Sequence, residues 1–209
     1  MNRLLFISHQ TKEYSYLESI EIALEGGCRE IQLRMKDVSP DIVESSGKRA
    51  KELCKKYEAR LYIDDHVEVC KSIGAAGVHL GKLDMPVRQA RKILGDNFII
   101  GGTANTFDDI LELASAGADY IGLGPFRYTE TKKNLSPLLG LSGYREIIKR
   151  CRTDNILLPV YAIGGITTDD ISGILETGIS GIALSSTILN AENPVEKTKE
   201  IINIINLHK

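Results

Sequence analysis

Cysteine is scarce here and badly spaced for a metal. Cys28, Cys54, Cys70 and Cys151 are scattered, with no CxxC and no Cys/His spacing of a zinc site. They are expected to be reduced core residues. No window approaches the length of a membrane span. The segment RLLFIS near the N-terminus has no basic flank, long apolar run or small-residue cleavage motif before it, so a cytoplasmic protein is expected. An excess of one charge is also lacking: a formal net charge of -2 gives no electrostatic case for nucleic acid or an anionic membrane as partner. No linker or low-complexity stretch interrupts the chain. The composition, 43% apolar and 26% charged, argues against disorder, and 209 residues suffice for one well-buried domain, expected over 1–209.

Strand-like apolar runs recur along the chain at 4–7, 30–33, 60–63, 77–80, 98–101, 120–123, 158–163 and 182–184, with helical patterns between them. The punctuation agrees. Ser39 with Pro40 predicts a helix start, followed by Val43, Ala50, Leu53 and Tyr57 at helical spacing; Thr106 with Asp109 and Thr167 with Asp170 resemble capping boxes. Gly95, Gly117 and Gly178 stand where helices should end, and Asn193-Pro194 opens the last one. SIGAAGVHLG (72–81), SAGADYIGLG (115–124) and ETGISGIALS (176–185) repeat one unit: helix end, glycine turn, strand. Eight units in this length are about 26 residues each, which predicts an α/β fold of the single-domain (β/α)8 TIM-barrel type. An open doubly wound sheet with a nucleotide wants a glycine fingerprint after its first strand, and SHQTKE lacks one.

In such a barrel the residues just after each strand form one ring at the mouth. After the second strand, alternation sends Gln32, Arg34 and Lys36 to one side and Leu33 and Met35 to the other. Asp64 and Asp65 follow the third strand, and Lys82 and Asp84 the fourth. Asp65 and Asp84, with Arg34, Lys36 and Lys132 nearby, would suit magnesium diphosphate, since magnesium takes one or two carboxylates and completes its shell with water and phosphate oxygens. His79, inside GVHLG, is expected to be a hydrogen-bonded core residue. The stretch 120–134, YIGLGPFRYTETKKN, begins as a strand and ends as a polar loop of hydroxyls and ammonium groups suited to a phosphate-bearing ligand. Gly164 and Gly165 before Thr167, and Ser185, Ser186 and Thr187, sit where this barrel usually cups a phosphate. Gly165 is expected to let the backbone approach that phosphate closely.

QLRMKD (32–37), DDHVEVCKSIGAAGVHLG (64–81), the Asp84-Met85-Pro86 turn, YIGLGPFRYTETKK (120–133) and AIGGIT (162–167) together resemble the thiamine-phosphate synthase family over nearly the whole length. That resemblance implies an alkyl transfer. Hydroxymethylpyrimidine diphosphate loses diphosphate, and the thiazole-phosphate nitrogen attacks the pyrimidine methylene cation. By resemblance, Arg34, Lys36, Thr103 and Lys132 would hold the diphosphate and Asp65 and Asp84 the Mg2+. Gln32, with Asp64 beside it, would meet the pyrimidine; Thr129, Thr131, Gly165, Ser185 and Ser186 would meet the thiazole phosphate. The chain departs from the family pattern at Asp64 (asparagine), Lys82-Leu83 (Gln-Glu), Thr103 and Asn105 (serine and histidine) and Arg127 (an apolar residue). Lys82 is expected to neutralise Asp64, the two departures forming a compensated pair. A related isomerase of thiazole carboxylate phosphate, which uses a histidine after the sixth strand, and a catalytically silent metabolite-binding barrel are the alternatives. The expected partners are small phosphorylated substrates, and a homodimer is compatible with the sequence.

Overall fold

Short runs of branched apolar residues, each stopped by glycine or a polar turn, form the strands of the computed structural model, which describes residues 2–128 and 137–208. They are β1 (Leu4–Ile7), β2 (Glu30–Leu33), β3 (Arg60–Asp64), β4 (Gly77–Leu80), β5 (Ile99–Ala104), β6 (Tyr120–Leu123), β7 (Val160–Ile163) and β8 (Gly181–Leu184). All are parallel, each pairs with the next, and β8 returns to β1 to close a barrel. Helices α1 (Tyr16–Glu25), α2 (Pro40–Lys56), α3 (Val67–Ile73), α4 (Val87–Leu94), α5 (Phe107–Ala116), α6 (Gly140–Thr153) and α7 (Ile171–Glu176) connect successive strands. A four-residue α8 (Ser186–Leu189) and α9 (Pro194–Leu207) follow β8. This is the (β/α)8 architecture that the strand count predicts. Among the described residues no helix is long and apolar enough to cross a membrane.

The caps follow the sequence in part. Thr106 Oγ1 accepts from Asp109 N–H at 3.1 Å while Asp109 accepts from Thr106 N–H at 2.9 Å. Asn193 caps α9 through Glu196 N–H at 3.2 Å. Ser39 holds the N-cap position of α2 without a side-chain bond, so Pro40 alone marks that start.

Alternation divides the strand residues between two cores. Outward residues such as Phe6, Ile31, Leu33, Ile63, Val78, Leu80, Ile121 and Leu184 join the helices' apolar faces in one continuous layer. Inward, Leu5, Ile7, Tyr62, Tyr120, Tyr161 and Ala183 fill the barrel. In the interior Tyr120 makes edge-to-face contact with both Tyr62 and Tyr161, with ring centroids 5.8 Å apart in each of the two pairs. Each tyrosine stands in register with glycine on a neighbouring strand: Tyr62 with Gly77, Tyr120 with Gly101, Tyr161 with Gly122 and Gly181. A Cβ on Gly101 would lie 2.1 Å from Tyr120 Cζ, so the glycine is what lets the ring fit. At the floor Glu30 is fully buried, with its charge met by Arg60, by Tyr62 O–H at 2.8 Å and by Asn2 N–H at 2.7 Å.

β3 and β8 are each one residue longer than the sequence expectation, and two strands differ from it by more, for identifiable reasons. β5 runs on to Ala104 through Gly101-Gly102-Thr103, because those glycines make room for Tyr120 and Leu113 and the backbone stays in the ladder. β7 starts at Val160, since Pro159 has no N–H to give. All four cysteines are buried and free, as expected; burial pushes the thiols of Cys28, Cys54 and Cys70 up to about 12.

Candidate active site

At the carboxyl ends of the strands lies a cavity of about 350 Å3. Its wall includes Gln32, Arg34, Lys36, Asp64, Asp65, Asp84, Thr103, Gly165, Ser185 and Ser186, so ten of the expected site residues, from six different strand ends, come together. Thr129, Thr131 and Lys132 lie outside the described residues. Ser8, His9, Thr11 and Asn190 also line the cavity and were not expected there. The first three directly follow β1, so the same ring argument applied to SHQT would have found them.

One side of the cavity is an interlocked set of charges. Gln32 Nε2 donates to Asp64 Oδ1 at 2.5 Å; Asp64 Oδ2 lies 3.2 Å from Lys36 Nζ and 3.6 Å from Arg34 Nε. The Arg34 backbone is tied to β1 by its N–H donating to Ser8 Oγ at 3.0 Å. Burial pushes the Asp64 carboxyl up, opposed by Lys36 and Arg34. For Lys36 burial works against the charge, yet Asp64 and Asp65 outweigh it and hold the ammonium above its usual range. Asp65 adopts a left-handed backbone (φ 67°), which aspartate tolerates better than most residues. Both carboxylates reach Lys36, but their other neighbours differ: Asp64 also meets Gln32 and Arg34, while Asp65 faces Asp84. Asp84 Oδ2 accepts from Gly81 N–H at 2.7 Å, and its carboxyl is pushed up by burial and then by Asp65.

Two carboxylates set side by side, one driven toward its neutral form by burial and then by the other, are a donor set that a hard divalent cation relieves. Among the described residues no three of His, Cys, Asp and Glu converge as a metal-holding group, so the protein's share of such a site is this aspartate pair, and water or substrate oxygens must complete it.

Lys82 does not pair with Asp64. Its Nζ lies 2.7 Å from Asp109 Oδ2 at the start of α5, and Lys82, together with N–H donors of Asn105 and Thr106, overcomes burial to hold Asp109 below the usual carboxylate range. The chain after β4 carries Lys82 away from the mouth toward the α5 cap, and the expected compensated pair is replaced by Asp64 with Lys36 and Arg34. Asn105 likewise turns from the cavity: its Nδ2 donates to Gly124 O at 2.5 Å, next to the cis Gly124-Pro125 peptide. His79 is a bonded core residue, with Nδ1 3.0 Å from Tyr120 Oη and Nε2 3.0 Å from Thr103 Oγ1.

The opposite side is built of loops seven and eight. Gly164 and Gly165 both have left-handed backbone, φ 96° and 67°. A Cβ at Gly165 would lie 2.6 Å from Arg127 Cγ and 2.8 Å from Tyr128 O. The close backbone approach expected there is therefore made by the chain after β6, which crosses loop seven at this point. Arg127 pins the crossing: it donates to both carboxylate oxygens of Asp170 at 2.7 Å and to Gly165 O at 3.1 Å. Thr187 Oγ1 donates to Ile166 O at 2.5 Å and ties loop eight to loop seven. Among the described residues, Ser185 Oγ is the buried side-chain polar atom left without a hydrogen-bond partner, and it stands in the wall of this cavity.

The chain is similar to known proteins over nearly its whole length. The family model described as thiamine monophosphate synthase matches residues 4–188. The thiamine-phosphate synthase of Phocaeicola vulgatus is 63% identical over 201 residues, covering 96% of this chain and 97% of that one. That of Bacteroides fragilis is 59% identical over 204 residues, covering 98% and 100%. Among solved structures, thiamine phosphate pyrophosphorylase from Pyrococcus furiosus superposes with a TM-score of 0.88 at 34% identity, covering 99% of this chain and 96% of that one. The chain belongs to the thiamine monophosphate synthase family.

Proposed function

We infer that this protein is a cytoplasmic transferase that joins hydroxymethylpyrimidine diphosphate to thiazole phosphate, forming thiamine phosphate and releasing diphosphate. The observation that carries the reading is that one cavity has two separate anion-suited ends: the cations Arg34 and Lys36 on β2's side, and the glycine pair with the orphaned Ser185 hydroxyl on the side of β7 and β8. A reaction between two phosphorylated molecules needs such a pair of ends, set so that the reacting carbon and nitrogen meet between them.

The bond that breaks is the one between the pyrimidine methylene carbon and the bridging diphosphate oxygen; the bond that forms joins that carbon to the thiazole nitrogen. Arg34 and Lys36 would receive the charge that grows on the departing diphosphate, and a fixed cation stabilises such charge without reorganising. Thr103, its oxygen 3.0 Å from His79 Nε2, would offer a further hydroxyl to the diphosphate from the cavity wall. Asp65 and Asp84 would hold magnesium, which when bound would neutralise further charge on the diphosphate. No protein nucleophile is required. Ser185 and the backbone around Gly164 and Gly165 would hold the thiazole phosphate in place for attack.

The test is release of diphosphate when the protein is given both substrates and magnesium chloride, measured against thiamine phosphate by chromatography. The two should appear in equal amounts. Isomerisation of a thiazole carboxylate phosphate without diphosphate release would favour the related isomerase, and binding without turnover would favour a silent barrel.

A further inference from the structure

A carboxylate only accepts hydrogen bonds, whereas a glutamine amide has an accepting oxygen and a donating NH2. Asp64 Oδ1 is 2.5 Å from the Gln32 amide, and its other oxygen is held between Lys36 and Arg34 at 3.2 and 3.6 Å. Gln32 and Asp64 are 3% and 6% exposed, and both line the cavity. The two cations keep the charge of Asp64 paired where an unpaired charge would be costly. Turning the Gln32 amide over would bring its carbonyl oxygen against this carboxylate, two acceptors with no proton between them. The amide is thus held one way round, with Nε2 to Asp64. Its Oε1 takes no hydrogen bond from the described residues and is left for what fills the cavity. An asparagine at 64 would not do this, because amide pairs with amide in either orientation.

We propose that Asp64 is a positioning residue that fixes Gln32 as a hydrogen-bond acceptor, making the pyrimidine end of the cavity selective for a heterocycle with an exocyclic amino group over its oxo counterpart. The proposal rests on the transferase reading above. An amino N–H supplies the proton that Gln32 Oε1 lacks. An oxo group at the same ring position brings a second acceptor, and a buried site built on one hydrogen bond rejects an analogue that cannot make it by a large factor.

The experiment compares kcat/KM for a 4-amino- and a 4-oxo-pyrimidinylmethyl diphosphate at fixed thiazole phosphate, in wild type and in Asp64→Asn. Wild type should favour the amino compound by on the order of 100-fold or more. In the variant the ratio should fall by about tenfold, because the freed amide can turn to meet the oxo group. A ratio unchanged by the substitution, including one in which both rates fall in step, overturns the proposal. Wild type alone provides a second measurement, which an inactive variant cannot obscure: the oxo compound should be a poor competitive inhibitor, and inhibition as strong as by an unreactive amino analogue overturns the proposal. Failure of wild type to turn over the amino compound refutes the transferase and this role together; turnover with an unchanged ratio refutes this role alone.

Discussion

Removing one charge from the Asp65–Asp84 pair should separate what that pair costs the fold from what it gives a metal. In Asp84→Asn the side chain keeps an oxygen for the Gly81 N–H, now accepted at 2.7 Å, and loses the charge that burial and Asp65 disfavour. Two unit charges about 4 Å apart repel by about 4 kcal/mol at an effective dielectric of 20. Asp84 is only part-buried and Lys36 sits on Asp65, so solvent screening and that cation leave about 0.5 to 1 kcal/mol. For a chain of this size the metal-free variant should then melt about 1 to 4 °C above wild type. The sign with pH follows from the raised carboxyl. The folded pKa of Asp84 lies above its ordinary 3.8, so the penalty is fully present above the folded value and fades as pH falls through it; wild type and variant should converge in acid. Magnesium should reverse the order. At ten times its Kd, a cation that binds only the folded wild type adds about 1.4 kcal/mol, most of which the variant forfeits. Scanning calorimetry in EDTA, and again in magnesium chloride with diphosphate, checks both halves. A variant that melts below wild type in EDTA, or gains as much from magnesium, would refute the reasoning.

Ser185→Ala removes a hydroxyl that lacks a partner among the described residues, so the ligand-free protein should be no less stable, while affinity for thiazole phosphate should fall about tenfold for one lost bond to a charged group. Titration calorimetry with that ligand decides it, equal affinities speaking against the phosphate cup. Gly101→Ala would put a methyl 2.1 Å from Tyr120 Cζ in a closed interior, and overpacking of this kind should cost about 1 to 3 kcal/mol, read as a lower urea midpoint. An unchanged midpoint would mean that the tyrosines yield more easily than their packing implies.

The barrel was legible because its strands are bounded by residues with one job each. Gly117 and Gly124 on either side of β6, Gly77 and Gly81 at the two ends of β4, or Arg34 after Leu33 leave little freedom in where an apolar run starts and stops. The same glycines also misled. Gly101-Gly102 looks like a turn in one dimension, and only the cross-strand register, which brings Tyr120 opposite Gly101, makes a glycine pair good strand. The ring of site residues was legible too, since a strand end fixes which side chains face the mouth. What could not be seen along the chain was which cation meets which carboxylate. Lys82 reaches Asp109, and Lys36 reaches both Asp64 and Asp65, because long side chains on loops choose partners across strands. Gly165 illustrates the same limit: its need for no side chain comes from Arg127 and Tyr128, neighbours by folding alone.

The buried cysteines make the protein its own unfolding clock. A thiol pushed up to about 12, as at Cys28, Cys54 and Cys70, holds on the order of a thousandfold less reactive thiolate than an ordinary cysteine, and an alkylating reagent cannot reach it in the closed fold. Labelling therefore proceeds through openings that expose the sulfur, and its rate counts them. Cys54 and Cys70 sit in or on the α2 and α3 layer, whereas Cys151 lies on α6 across the barrel. Mass spectrometry of the modified peptides would thus report separately how often each half of the barrel comes apart, without any probe being introduced.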